Sequence, residues 1–161
     1  MISSRATLLT LALTLLAASP IAADGDGILG RWHTEPKKGG YARVEIVEEN
    51  DRYHGSIVWL SEPDFPTDDE RGMGGRPKVD RENPDPDLRN RPIVGIRLLT
   101  EFEYVGKDQW KRGTIYDPEN GKTYKCNIKL QDGDTLKVRG YIGMSLLGRT
   151  TIWERASDPA R

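Results

Sequence analysis

The last third of the chain, Trp110 to Arg155, alternates polar and apolar residues across three turns with almost no helical period, and this constrains the fold more than any other feature. Tyr124, Cys126, Ile128 and Leu130 fall on one side of an extended segment; Thr123, Lys125, Asn127 and Lys129 fall on the other. Successive side chains of a strand point to opposite faces, so the repeat predicts a half-buried antiparallel ribbon with one dry face. The turns carry their own chemistry. Asp117-Pro118-Glu119-Asn120-Gly121 sets a proline at the first corner and an Asn-Gly pair where positive φ is needed. Gln131 to Asp134 is another tight turn, and Gly143 to Gly148 closes the last hairpin into Arg149 to Arg155.

The same alternation extends upstream. Short strands are expected at Gly30–Thr34, Tyr41–Glu48 and Tyr53–Leu60, and again over Pro92–Tyr104 and Gln109–Tyr116. In the fourth of these, Val94, Ile96, Leu98, Phe102 and Tyr104 share one parity; around Trp110 the parity is ambiguous. The stretch Ser61 to Arg91 breaks the pattern, being loaded with Pro, Gly, Asp and Arg, and such long connections are commonly functional. About eight sequential antiparallel strands favour an all-β, up-and-down barrel, because closing the sheet removes its exposed edges. An outer-membrane barrel is disfavoured by the outward Lys125, Lys129, Lys137 and Arg139, since a basic residue facing the lipid midplane costs about 2 to 4 kcal/mol.

Residues 1–23 carry one positive charge at Arg5, the apolar run Ala6 to Ala18 and the small residues before Asp24, the pattern of a cleaved secretory signal peptide. Cleavage after Ala23 leaves residues 24–161 as one domain, expected to be periplasmic or secreted. A chain of that size, about 140 residues, supports a single core. Lys and Arg number 24 against 25 Asp and Glu, intermixed along the chain, so no basic stripe is available for nucleic acid. Cys126 stands alone, which excludes an internal disulfide, and its place on the apolar face makes it a small hydrophobe.

Gly30-Arg31-Trp32 on the first strand is similar to the Gly-x-Trp that opens lipocalins and their calycin relatives, whose last strand supplies an arginine over the tryptophan. That resemblance makes Arg149 and Arg155, flanking Trp153, the candidate partners. A wider resemblance rests on three stretches: Asn83-Pro84-Asp85-Pro86-Asp87-Leu88-Arg89-Asn90-Arg91-Pro92, Gly113 to Tyr124, and Leu136 to Gly143 continued by Gly148-Arg149-Thr150 and Trp153-Glu154-Arg155. These resemble the bacterial family called domain of unknown function 2147, small exported envelope proteins. The resemblance implies a lipocalin-like barrel and brings no catalytic mechanism.

No cluster of residues states a chemistry, and the chain is not expected to be an enzyme. Asp80, Asn83, Asp85 and Asp87 imitate the start of a calcium loop, but the turn glycine is missing and Val94 stands where a bidentate glutamate belongs. A capped helical turn explains them better, with Asp85 as N-cap and Pro86 at the first helical position, followed by Arg89 and Arg91 as structural partners. A lid over the barrel mouth fits the same segment. His33 and His54 lack a third ligand for zinc, and Ser145 is not in a nucleophile elbow, so no metal or cofactor is expected. Gly30, Trp32, Asp117, Gly121, Trp153 and Arg155 are expected to be structural.

Aromatic residues remain. Trp59, Phe102, Tyr104, Trp110, Tyr116 and Tyr124 are spread over the strands, with Arg139 and Arg149 available to anchor a carboxylate or phosphate head. An eight-stranded barrel is just wide enough to be filled by side chains or to hold one small ligand. The expected function is capture of a small apolar or amphipathic molecule in the barrel. The alternative is a non-catalytic envelope scaffold that works through loop 61–91 with a protein or cell-wall partner.

Overall fold

The computed structural model describes residues 24–157; the leader expected over 1–23 lies outside the described residues. Eight antiparallel strands run in sequence order and close on themselves: β1 (Gly30–His33), β2 (Ala42–Glu49), β3 (Arg52–Leu60), β4 (Arg97–Tyr104), β5 (Gln109–Asp117), β6 (Lys122–Leu130), β7 (Thr135–Tyr141) and β8 (Arg149–Arg155). The only helical pieces among the described residues are three single 3-10 turns, Asp24–Ile28, Pro86–Leu88 and Ser145–Leu147.

Closure depends on a short seam. β1 and β8 pair through Trp32 with Arg155 and His33 with Glu154, and one more backbone bond, from the Ala156 N–H to Arg31 O at 2.9 Å, extends the seam. Side chains reinforce what the ladder leaves weak. The Arg155 guanidinium lies 4.1 Å from the centroid of the Trp32 ring and donates to the carbonyls of Gly27, Leu29 and Gly133 and to Asp134 Oδ1. Of the two candidate arginines, Arg155 is the one that covers the tryptophan; Arg149 stands exposed at the other end of β8. Trp32 donates its indole N–H to Ile28 O at 2.8 Å, which folds the leading 3-10 turn under the barrel with Ile28 fully buried. One end of the cylinder is thereby sealed.

The interior is packed with Trp32, Val44, Ile46, Tyr53, Ile57, Leu99, Phe102, Trp110, Cys126, Ile128, Leu136, Val138 and Trp153. Gly113 lies against this core, where a Cβ would overlap the Phe102 ring, so only glycine fits. The parity expected for β4 is corrected at one point. Leu99 and Phe102 face the core together, three residues apart, because Glu101 has φ +61° and forms a bulge that moves the later residues to the other face. Its backbone N–H, freed from the ladder, donates to His54 Nδ1 at 3.3 Å, which accounts for a buried histidine on β3. A second bulge at Arg112, φ +64°, lets Trp110 and Gly113 both point inward and settles the parity of β5.

Burial pushes the Cys126 thiol up to about 12, consistent with a side chain that packs as a hydrophobe.

Removing the guanidinium should open the seam. Arg155→Ala is expected to lower unfolding stability by about 2 kcal/mol, combining loss of the ring contact and of charge-assisted hydrogen bonds. Arg155→Lys, which keeps the charge without the planar fork, should recover only part of it. Urea denaturation followed by tryptophan fluorescence measures both; equal midpoints for wild type and Arg155→Ala would remove the seam from this role.

Candidate functional site

The end of the barrel opposite the leading 3-10 turn carries the connections 34–41, 61–96, 118–121 and 142–148. Loop 61–96 is the longest, and it is built on a buried carboxylate. Asp80 is 0% exposed. Its Oδ1 accepts from the Tyr116 hydroxyl at 2.6 Å, and its Oδ2 accepts from Asn83 Nδ2 at 2.7 Å and from Arg91 Nε at 2.9 Å. Asn83 Nδ2 also reaches Tyr116 Oη at 3.2 Å, and the Arg91 guanidinium lies 5.9 Å from the Tyr116 ring centroid. A buried charge with this many partners is satisfied, so the loop is held in one arrangement.

Tyr116 follows the inward Ile115 on β5 and therefore points to the outer wall. The Asp80 anchor thus fastens the loop to the side of the barrel. The rest of the loop is tied in turn. Asp85 caps the turn Pro86–Leu88 by accepting from the Asp87 N–H, and Arg89 Nε donates to Asn83 O at 2.8 Å. Gly121, at φ +69°, leaves no space for a Cβ beside the Glu82 carbonyl, so only glycine seats the β5–β6 turn against the loop. Asp117 holds that turn by accepting from the Glu119 N–H and the Asn120 amide. Further along, Arg81 pairs with Asp69 at 2.9 Å and stacks over Phe65 at 4.1 Å, and its hydrogen bond holds the Asp69 carboxyl below the usual carboxylate range.

The mouth itself is bridged. Connections 34–41 and 118–121 sit on opposite sides of the eight-strand ring, yet Lys37 Nζ lies 3.0 Å from Glu119 Oε2, and Lys78 Nζ donates to Gly39 O at 3.1 Å.

The residues expected to surround a ligand fall in separate places. Phe102 and Trp110 are buried in the core, and Tyr104 packs beside Trp110 with centroids 5.3 Å apart. Between Ile28, Ile46, Tyr53, His54, Leu99, Phe102 and Ile128 the remaining space has no room for a water molecule. Trp59 stands on the outer wall, 39% exposed, with Arg43 over its ring and Tyr41 beside it. Tyr116 serves the Asp80 anchor, and the Tyr124 hydroxyl accepts from the Asn120 amide in the turn. Arg139 Nε and Nη2 donate to the carbonyls of Ser145 and Leu146, so it braces the β7–β8 hairpin; Arg149 is exposed. An open depression of about 490 Å³ lined by Asp134, Thr135, Glu154, Arg155, Ala156 and Ser157 lies at the sealed end, away from all of these. Among the described residues no group of three or more His, Cys, Asp or Glu side chains is placed to hold a metal ion. Of the anchor residues, Asp80 and Tyr116 carry no local sign of their partnership; a sequence separation of 36 hides it.

A closed eight-stranded cylinder sealed at one end by a 3-10 turn, with an arginine of the last strand over the tryptophan of the first, defines a lipocalin-like barrel. Residues 30–155 match the family described as "Uncharacterized protein conserved in bacteria (DUF2147)", and the chain belongs to that family. It is similar to a solved structure from Helicobacter pylori, the protein HP1028, described as belonging to the lipocalin family: identity is 27%, the TM-score is 0.68, and the match covers 81% of this chain and 84% of that one. No curated protein matches the chain.

Two outcomes test the anchor. Asp80→Asn leaves Arg91 without its counter-charge and should reduce stability by about 2 kcal/mol, with earlier proteolytic cleavage inside 61–91 while the strands stay intact. Limited proteolysis mapped by mass spectrometry measures this; cleavage unchanged from wild type would refute the anchor. Burial first, then the hydrogen bond to Asp80 and its charge, push the Tyr116 hydroxyl up to about 12. The folded state favours the protonated phenol, so this contribution is whole below about pH 10 and is lost as pH rises toward about 12. An alkaline titration of tyrosine absorbance in wild type and Tyr116→Phe isolates it.

Proposed function

We propose that this protein is an exported, non-catalytic interaction module of the bacterial envelope, released from its leader after Ala23 and acting through the polar surface of loop 61–91. The observation that carries the reading is the combination of a barrel interior filled by side chains with a long loop fixed by a satisfied buried carboxylate. A pre-ordered polar loop avoids the entropy loss of ordering on binding, which is what a recognition surface needs. A loop of this length is out of proportion to joining two adjacent strands of a meander. The chemistry it displays, exposed Asp85, Asp87 and Arg89 beside Arg71 paired to Glu82, suits a polar or charged partner such as a protein surface or the cell wall. The competing reading, a carrier of a small apolar molecule, draws on the lipocalin description of the Helicobacter pylori protein and requires space inside the cylinder.

Native mass spectrometry of protein purified from its own host separates the two. The expected result is a mass equal to that of the processed chain from Asp24, together with a partner retained by affinity capture and lost when 61–91 is shortened. A non-covalent mass excess that disappears on denaturation would replace this reading with the carrier.

A further inference from the structure

We propose that the β7–β8 hairpin tip is a membrane-contact device that seats the barrel on an anionic phospholipid surface. Within residues 142–147, Ile142 is 69% exposed, Met144 70%, Leu146 88% and Leu147 80%. Four large apolar side chains at one convex tip is the kind of exposure that folded proteins otherwise bury or use. The exposure does not follow from a loose loop. Arg139 fixes the tip from below, donating to Ser145 O at 2.8 Å, to Leu146 O at 3.1 Å and to Thr150 Oγ1 at 2.8 Å, while the Ser145–Leu147 turn is closed by the Gly148 N–H to Ser145 O.

Charge chooses the occupant. From Thr135 through Trp153 there is no Asp or Glu, whereas Arg139 and Arg149 at the tip end are basic, and Lys125 stands beside Tyr141 at the base of the hairpin. Arg149 is exposed and forms no ion pair among the described residues. An apolar tip with a cationic collar matches a bilayer whose headgroups are negative, the apolar groups entering the headgroup boundary and the cations meeting phosphates. Size argues the same way. A stable protein interface engages about 20 to 30 residues a side, far more than a six-residue convex tip offers, whereas interfacial insertion asks only for a protruding apolar group. This contact is peripheral and independent of loop 61–91, so it adds to the proposed function without resting on it.

The test is co-sedimentation of the exported protein with vesicles of phosphatidylglycerol and phosphatidylethanolamine, and with vesicles of phosphatidylcholine alone. Wild type is expected to partition onto the anionic vesicles, and the double variant Leu146→Asp, Leu147→Asp to lose about tenfold or more of that partitioning, the scale set by withdrawing two buried leucines. Lys125→Glu with Arg149→Glu should erase the preference for anionic over zwitterionic vesicles. Wild type and variants share one amino terminus, so the leader cannot produce a difference between them. As a reporter that leaves the fold alone, Leu147→Trp should add emission that moves to shorter wavelength on addition of anionic vesicles, read as the difference from wild type. Absence of wild-type partitioning, equal partitioning of the aspartate variant, or an unshifted Leu147→Trp signal overturns the proposal. Concentration-dependent self-association abolished by the same aspartates, without vesicle binding, overturns it in favour of a second copy of the chain. Vesicle binding that survives shortening of 61–91 is expected, and it keeps this outcome separate from that of the loop.

Discussion

The contact between Arg155 and Trp32 is the one on which the rest of the architecture depends. An up-and-down sheet has two free edges unless its first and last strands meet, and here they meet over only two residue pairs. The guanidinium makes the junction hold, because it spends its donors on three carbonyls and a carboxylate from both sides of the seam while its plane covers an indole. Trp32 in turn fixes Ile28 through its N–H, so the same pair that closes the ring also floors it. A core of this size needs that floor; without it Tyr53, Phe102 and Ile128, which surround Ile28, would face water at the base.

The open end obeys a different economy. Within 61–96 the pairing is reduced to isolated antiparallel bridges, Asp64 with Pro77 and Val79 with Pro92, and polar groups that saturate one another around Asp80 do the rest. Such a network is specific and brittle: every member is satisfied only in the observed arrangement, and loss of one leaves another buried without a partner. Rigidity at the open end is therefore a property of hydrogen bonds, and at the sealed end a property of packing.

The strands were legible because the dyad repeat of β6 and the turn chemistry of Asp117 to Gly121 are local, as was the N-cap at Asp85. Two classes of feature were not. The bulges at Glu101 and Arg112 place non-glycine residues at positive φ, and nothing in their side chains announces this; they go with a long-range contact, Phe102 packed where a Cβ on Gly113 would be. The fastening of Asp80 to Tyr116 is likewise a long-range event between a loop and a strand. The same limit explains the aromatic residues. Trp59 and Tyr116 look in the sequence like Phe102 and Trp110, but the β2–β3 register shift between Arg43 and Val44 sends Trp59 outward and the bulge at Arg112 sends Tyr116 outward, so a list of aromatics could not become a binding site by composition alone.

The filled cylinder has a consequence for how such a protein meets its surroundings. When an eight-stranded barrel spends its interior on Trp32, Phe102, Trp110 and Trp153, the information it can offer a partner moves to the rim. That rim has two chemically opposed sectors: a polar, cross-linked loop over β5 and a cationic hairpin crowned by Ile142, Met144, Leu146 and Leu147 over β7 and β8. Because the strands alternate up and down, the β3–β4 and β7–β8 connections leave the barrel at the same end, and both sectors face it. Side chains that would line a cavity in a hollow barrel here close the core, so recognition falls to the connections at this end.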